Sequence, residues 1–156
     1  MELTVDQMLQ QGVAAHNQGN LQEAERLYRA ILDVQPKHPD ANHNLGLIAV
    51  SMNQSGVALP LFKSAIKVNP NIEQFWLSYI EALITERQFG TAKQALKKGK
   101  KQGVAGEKLN ALEAQLASIN QTENVDRASP SQTQLSSLLE HYQNGRYDDA
   151  EKMALL

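Results

Sequence analysis

The feature that most limits how this chain can fold is a period of 34 residues. Gly12 and Gly46 stand 34 apart, and so do Ala15 and Ala49, Tyr28 and Phe62, Val34 and Val68, and Pro36 and Pro70; Ala24, Ala58 and Ala92 make three such steps. A fixed period of this length predicts a helix–turn–helix unit stacked on copies of itself, each burying the apolar face of the last. The fold class expected is all-α, a solenoid of antiparallel helix pairs.

Within each period the apolar residues fall at helical spacing. Val5, Met8, Leu9, Val13 and Ala14 form one face of a first helix, broken at Asn17–Asn20, where Gly19 suits a left-handed cap. Leu21, Ala24, Leu27, Tyr28, Ile31 and Leu32 form a second, stopped by Pro36. This is the repeat 5–38. The next, 39–72, places Ala41, Leu45, Ile48 and Ala49 inward, turns at Asn53–Gly56, and carries Pro60 inside its second pattern. Proline is tolerated in a first helical turn, so a late start to that helix is expected. The repeat 73–106 is more divergent. Trp76, Tyr79, Ile80 and Leu83 mark its first helix, Trp76 read as a core residue, and Ala92, Ala95 and Leu96 mark the second.

Three segments follow. Residues 107–119, with Leu109, Leu112, Leu116 and Ile119, predict an amphipathic capping helix that completes a domain spanning 5–119. Residues 120–131 are polar, include Pro130 and predict a linker. In 132–156 the pattern restarts, with Gly145 and Ala150 spaced like Gly19 and Ala24, and stops at Leu156 within its second helix. An incomplete further repeat of a longer protein is expected there. Leu135, Leu138, Leu139, Tyr142 and Tyr147 give it an apolar face that either folds back on its own solenoid or swaps onto a neighbour, and concentration-dependent self-association as a homodimer through 132–156 is the expectation to test.

At this point the sequence resembles the tetratricopeptide repeat family. The pattern W-x-x-L-G-x-x-Y…A-x-x-x-F…P is met at Leu45, Gly46, Ala58, Phe62 and Pro70, and at Gly12, Ala24, Tyr28 and Pro36. The third repeat keeps Trp76 and Ala92 but has Ile80 and Val104 where a small residue and proline would stand. Combinations such as AERLYRAIL and HYQNGRYDDAE also look like repeat arms that, in bacteria, precede glycosyltransferase or sulfotransferase domains.

The resemblance implies a right-handed superhelical solenoid of antiparallel helix pairs, and a protein-interaction module that binds a protein or peptide partner in a concave groove lined by the first helices. Carried over residue by residue, that groove takes Asp6, Leu9, Gln10, Val13, His16 and Asn17 from the first repeat. The second supplies Asp40, His43, Asn44, Leu47, Val50 and Ser51; the third supplies Gln74, Leu77, Ser78, Glu81, Ile84 and Thr85. None is Lys or Arg, so the acidic chaperone tails that some relatives grip are not expected ligands, and a neutral or mildly basic segment is. A substrate-docking arm of a larger enzyme is the alternative function.

Other chemistry finds little support. The chain has 156 residues and no cysteine, and His16, His38, His43 and His141 lack metal-ligand spacing. Gly99, Gly103 and Gly106 form no phosphate loop. The net charge of -2 creates no basic field, and the lysines 93, 97, 98, 100 and 101 read as a solvated helix face without aromatics for base stacking. The N-terminus is acidic without an apolar signal core, and no run approaches the ~20 apolar residues of a membrane span. The expectations are therefore no catalysis, no cofactor, no metal, no nucleic acid and no membrane insertion, in a cytoplasmic protein.

Overall fold

The computed structural model describes the backbone of residues 2–128 and the side chains of residues 2–119. The expected linker end at 129–131 and the whole of 132–156, with Gly145, Ala150 and the proposed dimer face, lie outside the described residues. Seven helices follow in chain order: α1 Val5–Asn17, α2 Leu21–Val34, α3 Pro39–Ser51, α4 Ser55–Val68, α5 Glu73–Thr85, α6 Phe89–Lys101 and α7 Glu107–Ala128. Among the described residues there is no strand. The architecture is an all-α helical solenoid of successive helix pairs, α1/α2, α3/α4 and α5/α6. The helices of Met1–Leu116 form one compact unit, and α7 runs on beyond it.

The pairs are held by one repeated device. A Cβ added to Gly12 would lie 2.7 Å from Tyr28 Cε1, and one added to Gly46 would lie 2.8 Å from Phe62 Cδ1. Each glycine thus lets the ring from the second helix rest directly on the backbone of the first. Tyr28 and Phe62 are fully buried there. In the third pair the same two positions carry Ile80 and Leu96, both buried in one core cluster. The added bulk on the first helix is matched by a smaller partner on the second, so the volume is conserved while the chemistry changes.

The turns inside the pairs are also periodic. Gly19 (φ 81°), Asn53 (φ 60°) and Arg87 (φ 60°) are left-handed, each 34 residues from the next. The residue after each donates its N–H back into the first helix: Asn20 to Ala15, Gln54 to Ala49 and Gln88 to Leu83, all at 2.8 Å. These are Schellman closures, which satisfy carbonyls that a helix end would otherwise leave open. Between the first two pairs and the next, proline ends the helix instead. The freed carbonyls are taken by side chains six residues on: Asn42 Nδ2 donates to Pro36 O at 3.1 Å, and the Trp76 indole N–H to Pro70 O at 2.7 Å. Trp76 is thus a core residue that also donates a hydrogen bond. After α6, which lacks the proline, Gly103 (φ 86°) supplies a further left-handed closure, and Val104 turns into the core.

Two expectations need correction. α4 starts at Ser55, so Pro60 is its sixth residue and not part of a late first turn. The buried residues Ser55, Ala58, Phe62, Ala65 and Ile66 hold the first turn helical, and the missing bond falls on the carbonyl of solvent-exposed Gly56. Likewise, the capping helix does not stop at 119. α7 continues to Ala128 because Glu107–Ala128 contains neither glycine nor proline and is rich in good helix formers. Loss of an apolar period there does not mark a helix end. The packed part of α7 is its start, where Leu109, Leu112 and Leu116 cover the third pair.

Gly46→Ala is expected to destabilise the fold by about 1–3 kcal/mol in urea denaturation, the usual cost of overpacking. Gly46→Ala combined with Phe62→Leu should recover part of that loss; equal or greater loss in the double variant would refute the ring-on-glycine account. Arg87→Gly removes a side chain from a left-handed position and should raise stability by about 0.5–1 kcal/mol. The Arg87 guanidinium also lies 5.8 Å from the Phe89 ring centroid, so the thermal midpoint of Arg87→Gly reads which contribution is larger.

Candidate functional site

The first helices carry the residues that face one another across the repeats. Asp6, Gln10, Val13, Asn17, Asp40, Val50, Ser51, Gln74, Glu81 and Thr85 are exposed, while Leu9, His16, Asn44, Leu47 and Ile84 are half-buried. Val13 and Val50 keep 37% and 36% of their surface open, apolar area that the fold does not use. Around it stand the amides of Gln10, Asn44 and Gln74 and the carboxylates of Asp6, Asp40 and Glu81. Two candidate hydroxyls are already engaged by their own helices. Ser51 Oγ donates to Ile48 O at 2.7 Å, and Thr85 Oγ1 to Glu81 O at 3.0 Å.

Three expected groove residues are not on the open face. Leu77, at 4% exposure, is part of the core. His43 and Ser78, at 5% each, are buried against one another, with His43 Nε2 2.8 Å from Ser78 Oγ. The imidazole lies between two rings, its centroid 5.4 Å from that of Phe62 and 4.8 Å from that of Phe75. Gln74 Nε2 donates to the same Ser78 oxygen at 3.2 Å. The Ser78 hydroxyl can donate to His43 Nε2 or accept from it, according to the imidazole tautomer. Burial pushes the His43 pKa below the ordinary value, against smaller upward effects of the Asn44 side chain and the Asp40 charge.

These groups belong to a chain of polar contacts that crosses all three pairs. His16 Nδ1 lies 3.3 Å from the Tyr28 hydroxyl. The Asn44 side chain acts electrostatically on both Tyr28 and His43, and His43 meets Ser78, which also accepts from Gln74. Burial raises the Tyr28 pKa, offset in part by Asn44. Asn44, half-buried, stands between Tyr28 and His43 in this series. The direct His43–Ser78 link was missed because its signal is not a motif. It is a spacing of 35, one repeat plus one residue, which in stacked first helices brings two side chains together. Phe75, which packs on His43, escaped for the same reason.

The first helices thus leave apolar, amide and carboxylate groups open to solvent. Among the described residues no cluster of three or more His, Cys, Asp or Glu side chains could hold a metal ion, and no helix is long and apolar enough to cross a membrane. Comparison with known proteins decides the family of the repeats. Profiles described as tetratricopeptide repeat match residues 9–51 and 39–72. Residues 9–72 are tetratricopeptide repeats.

Solved structures share the fold of these repeats. The Sgt2 domain of Aspergillus fumigatus superposes with a TM-score of 0.68 at 21% identity, over 81% of this chain and 85% of that one. The first repeat domain of Spaghetti (RPAP3), solved with the HSP90 peptide SRMEEVD, gives 0.67 at 15% identity, over 74% and 91%. The O-GlcNAc transferase of Thermobaculum terrenum gives 0.57 at 20% identity, over 65% of this chain and 20% of that one. A curated relative, cellulose synthase 2 operon protein C of Komagataeibacter xylinus, is 33% identical over 76 residues, which are 49% of this chain. The match spans only 6% of that relative's length.

The buried histidine has a pH consequence. An unfolded histidine titrates near pH 6.5, and His43 folds neutral with a lower pKa, so the unfolded state binds the extra proton first. The stability owed to a neutral His43 is complete above about pH 6.5. It is lost as pH falls from there through the folded pKa. Urea midpoints measured from pH 7.5 down to 5 should therefore drop more steeply for the wild type than for His43→Gln; parallel slopes would show that His43 does not titrate this way.

Proposed function

We propose that this chain binds an extended, neutral to mildly basic segment of a protein partner in the concave groove of α1, α3 and α5, without catalysis of its own. The observation that carries this reading is the open apolar surface at Val13 and Val50, bordered by Leu9, Leu47 and Ile84. The Asn44 amide, between Tyr28 and His43, can bond a peptide backbone whatever its sequence. Side-chain preference then comes from the apolar contacts and from Asp6, Asp40 and Glu81. These carboxylates favour Lys or Arg in the ligand and disfavour acidic tails. The Spaghetti domain was solved with a peptide that carries two glutamates and an aspartate; this groove, whose helices contain no Lys or Arg, suits the opposite charge.

A second reading places the same groove in a substrate-docking arm of a larger glycosyltransferase- or sulfotransferase-type enzyme. Its support is that repeats of this fold occur within much longer chains, the transferase and the operon protein among them. Sequencing the complete reading frame discriminates the two readings. Self-association through 132–156 would be a separate property, read by light scattering across a concentration series.

Selection of random peptides displayed on phage against the intact chain tests the groove. Enriched sequences are expected to combine an aliphatic residue with Lys or Arg. Binding should fall at least tenfold in Asn44→Ala/Leu47→Asp, with the helical circular dichroism retained. Enrichment of acidic C-termini, or full binding by the double variant, would sink the proposal.

A further inference from the structure

A net charge of -2 conceals a sorted surface. The helices α1, α3 and α5 carry Asp6, Asp40, Glu73 and Glu81 and neither Lys nor Arg. The outer helices α4 and α6 reverse this: α4 has Lys63 and Lys67, α6 is rich in lysine, and neither contains an Asp or Glu. Between them, floored by α5, lies a cleft of about 270 Å³. Lys63 and Lys67 stand on one wall, Lys98 with Thr91 and Gln94 on the other, and Trp76 and Tyr79 contribute to the lining. Lys63 and Lys67 also border a shallower hollow of about 600 Å³ that reaches Lys37. No carboxylate lines either space.

Folding gives these lysines little return. Lys100 pairs with Glu113 at 2.5 Å, whereas among the described residues Lys37, Lys63, Lys67 and Lys98 pair with no carboxylate. Lys63 and Lys67 are four apart on one helix, an arrangement of like charges that opposes helix formation. An uncompensated positive field over a partly apolar cleft is complementary to anionic groups spaced along a chain.

We propose that the α4–α6 cleft is a docking site for an acidic segment of a protein partner. Its carboxylates meet Lys63, Lys67 and Lys98, the Gln94 amide and the Thr91 hydroxyl supply further donors, and an apolar residue between the carboxylates rests on Tyr79. Nucleic acid fits less well. The Trp76 ring is 5% exposed, packs along Gly99 and spends its N–H on Pro70, so it offers no free face for a base. The lysine-bearing walls of this site are α4 and α6, not the groove helices, although its floor is α5, and it takes the opposite charge from the groove.

The test is fluorescence anisotropy with a labelled seven-residue peptide, six glutamates around a central leucine, titrated with the intact chain at low salt. Saturable binding is expected, weakened by added salt. Lys63→Gln/Lys67→Gln/Lys98→Gln should weaken it at least tenfold; all three side chains are exposed, so folding is checked simply by circular dichroism. Lys93→Gln/Lys97→Gln/Lys101→Gln removes the same charge from outside the cleft lining and should change affinity less than twofold. No binding by the intact chain, or equal losses in the two variants, overturns the proposal. So does an unlabelled single-stranded oligonucleotide that displaces the peptide better than the unlabelled peptide does. Self-association of the intact chain that disappears in the Lys63/Lys67/Lys98 variant would make a second copy the occupant and overturn it as well.

Discussion

The contact on which the rest depends is an aromatic ring lying on bare backbone. Phe62 over Gly46 and Tyr28 over Gly12 set how closely the two helices of a pair approach. At that separation the flanking Ala24 and Ala58 are wholly excluded from water. Because the approach is the same in both pairs, the side chains of successive first helices arrive in register. Only then can a residue on α3 meet one on α5 across a spacing of 35. The close approach is local, but the order along the stack follows from it.

Register between pairs is secured by polar groups more than by extra apolar volume. The Asn42 and Trp76 bonds to the carbonyls of Pro36 and Pro70 fix where each new first helix starts. The His43–Ser78 bond fixes the rotation of α3 relative to α5. A buried polar pair contributes little net stability, but breaking one partner leaves the other unsatisfied, so such pairs penalise misregistered stacking strongly.

Much of this was legible from the period. The helix pairs, the close-packing glycines and the left-handed turn at Gly19 all follow from which residues recur. What the period does not carry is the difference between an exposed position and one covered by a neighbouring repeat. His43 and Asn44 are adjacent and equally polar, yet Phe62 and Phe75 cover the first and leave the second half open. Pro60 misled because local propensity argued for a late helix, whereas burial of Ser55 and Ala58 holds the first turn. α7 misled in the other direction, since a polar stretch can remain helical when nothing in it breaks the ladder.

The lysines show the same limit on a functional question. On α6 alone they are a run on a solvated face, because a single helix cannot show what stands opposite. Stacking sets Lys98 across a cleft from Lys63 and Lys67, which lie 35 and 31 residues earlier. From α3 to α6 the charge is sorted by helix, acidic on α3 and α5 and basic on α4 and α6, whereas α2 carries both signs. In a solenoid this separation has a direct consequence. Inner and outer helices alternate along the chain, so charge that alternates with the same period accumulates by layer. Over α3–α6 the repeat that builds the core therefore also separates the charge, and the proposed docking of an acidic segment between α4 and α6 rests on that separation.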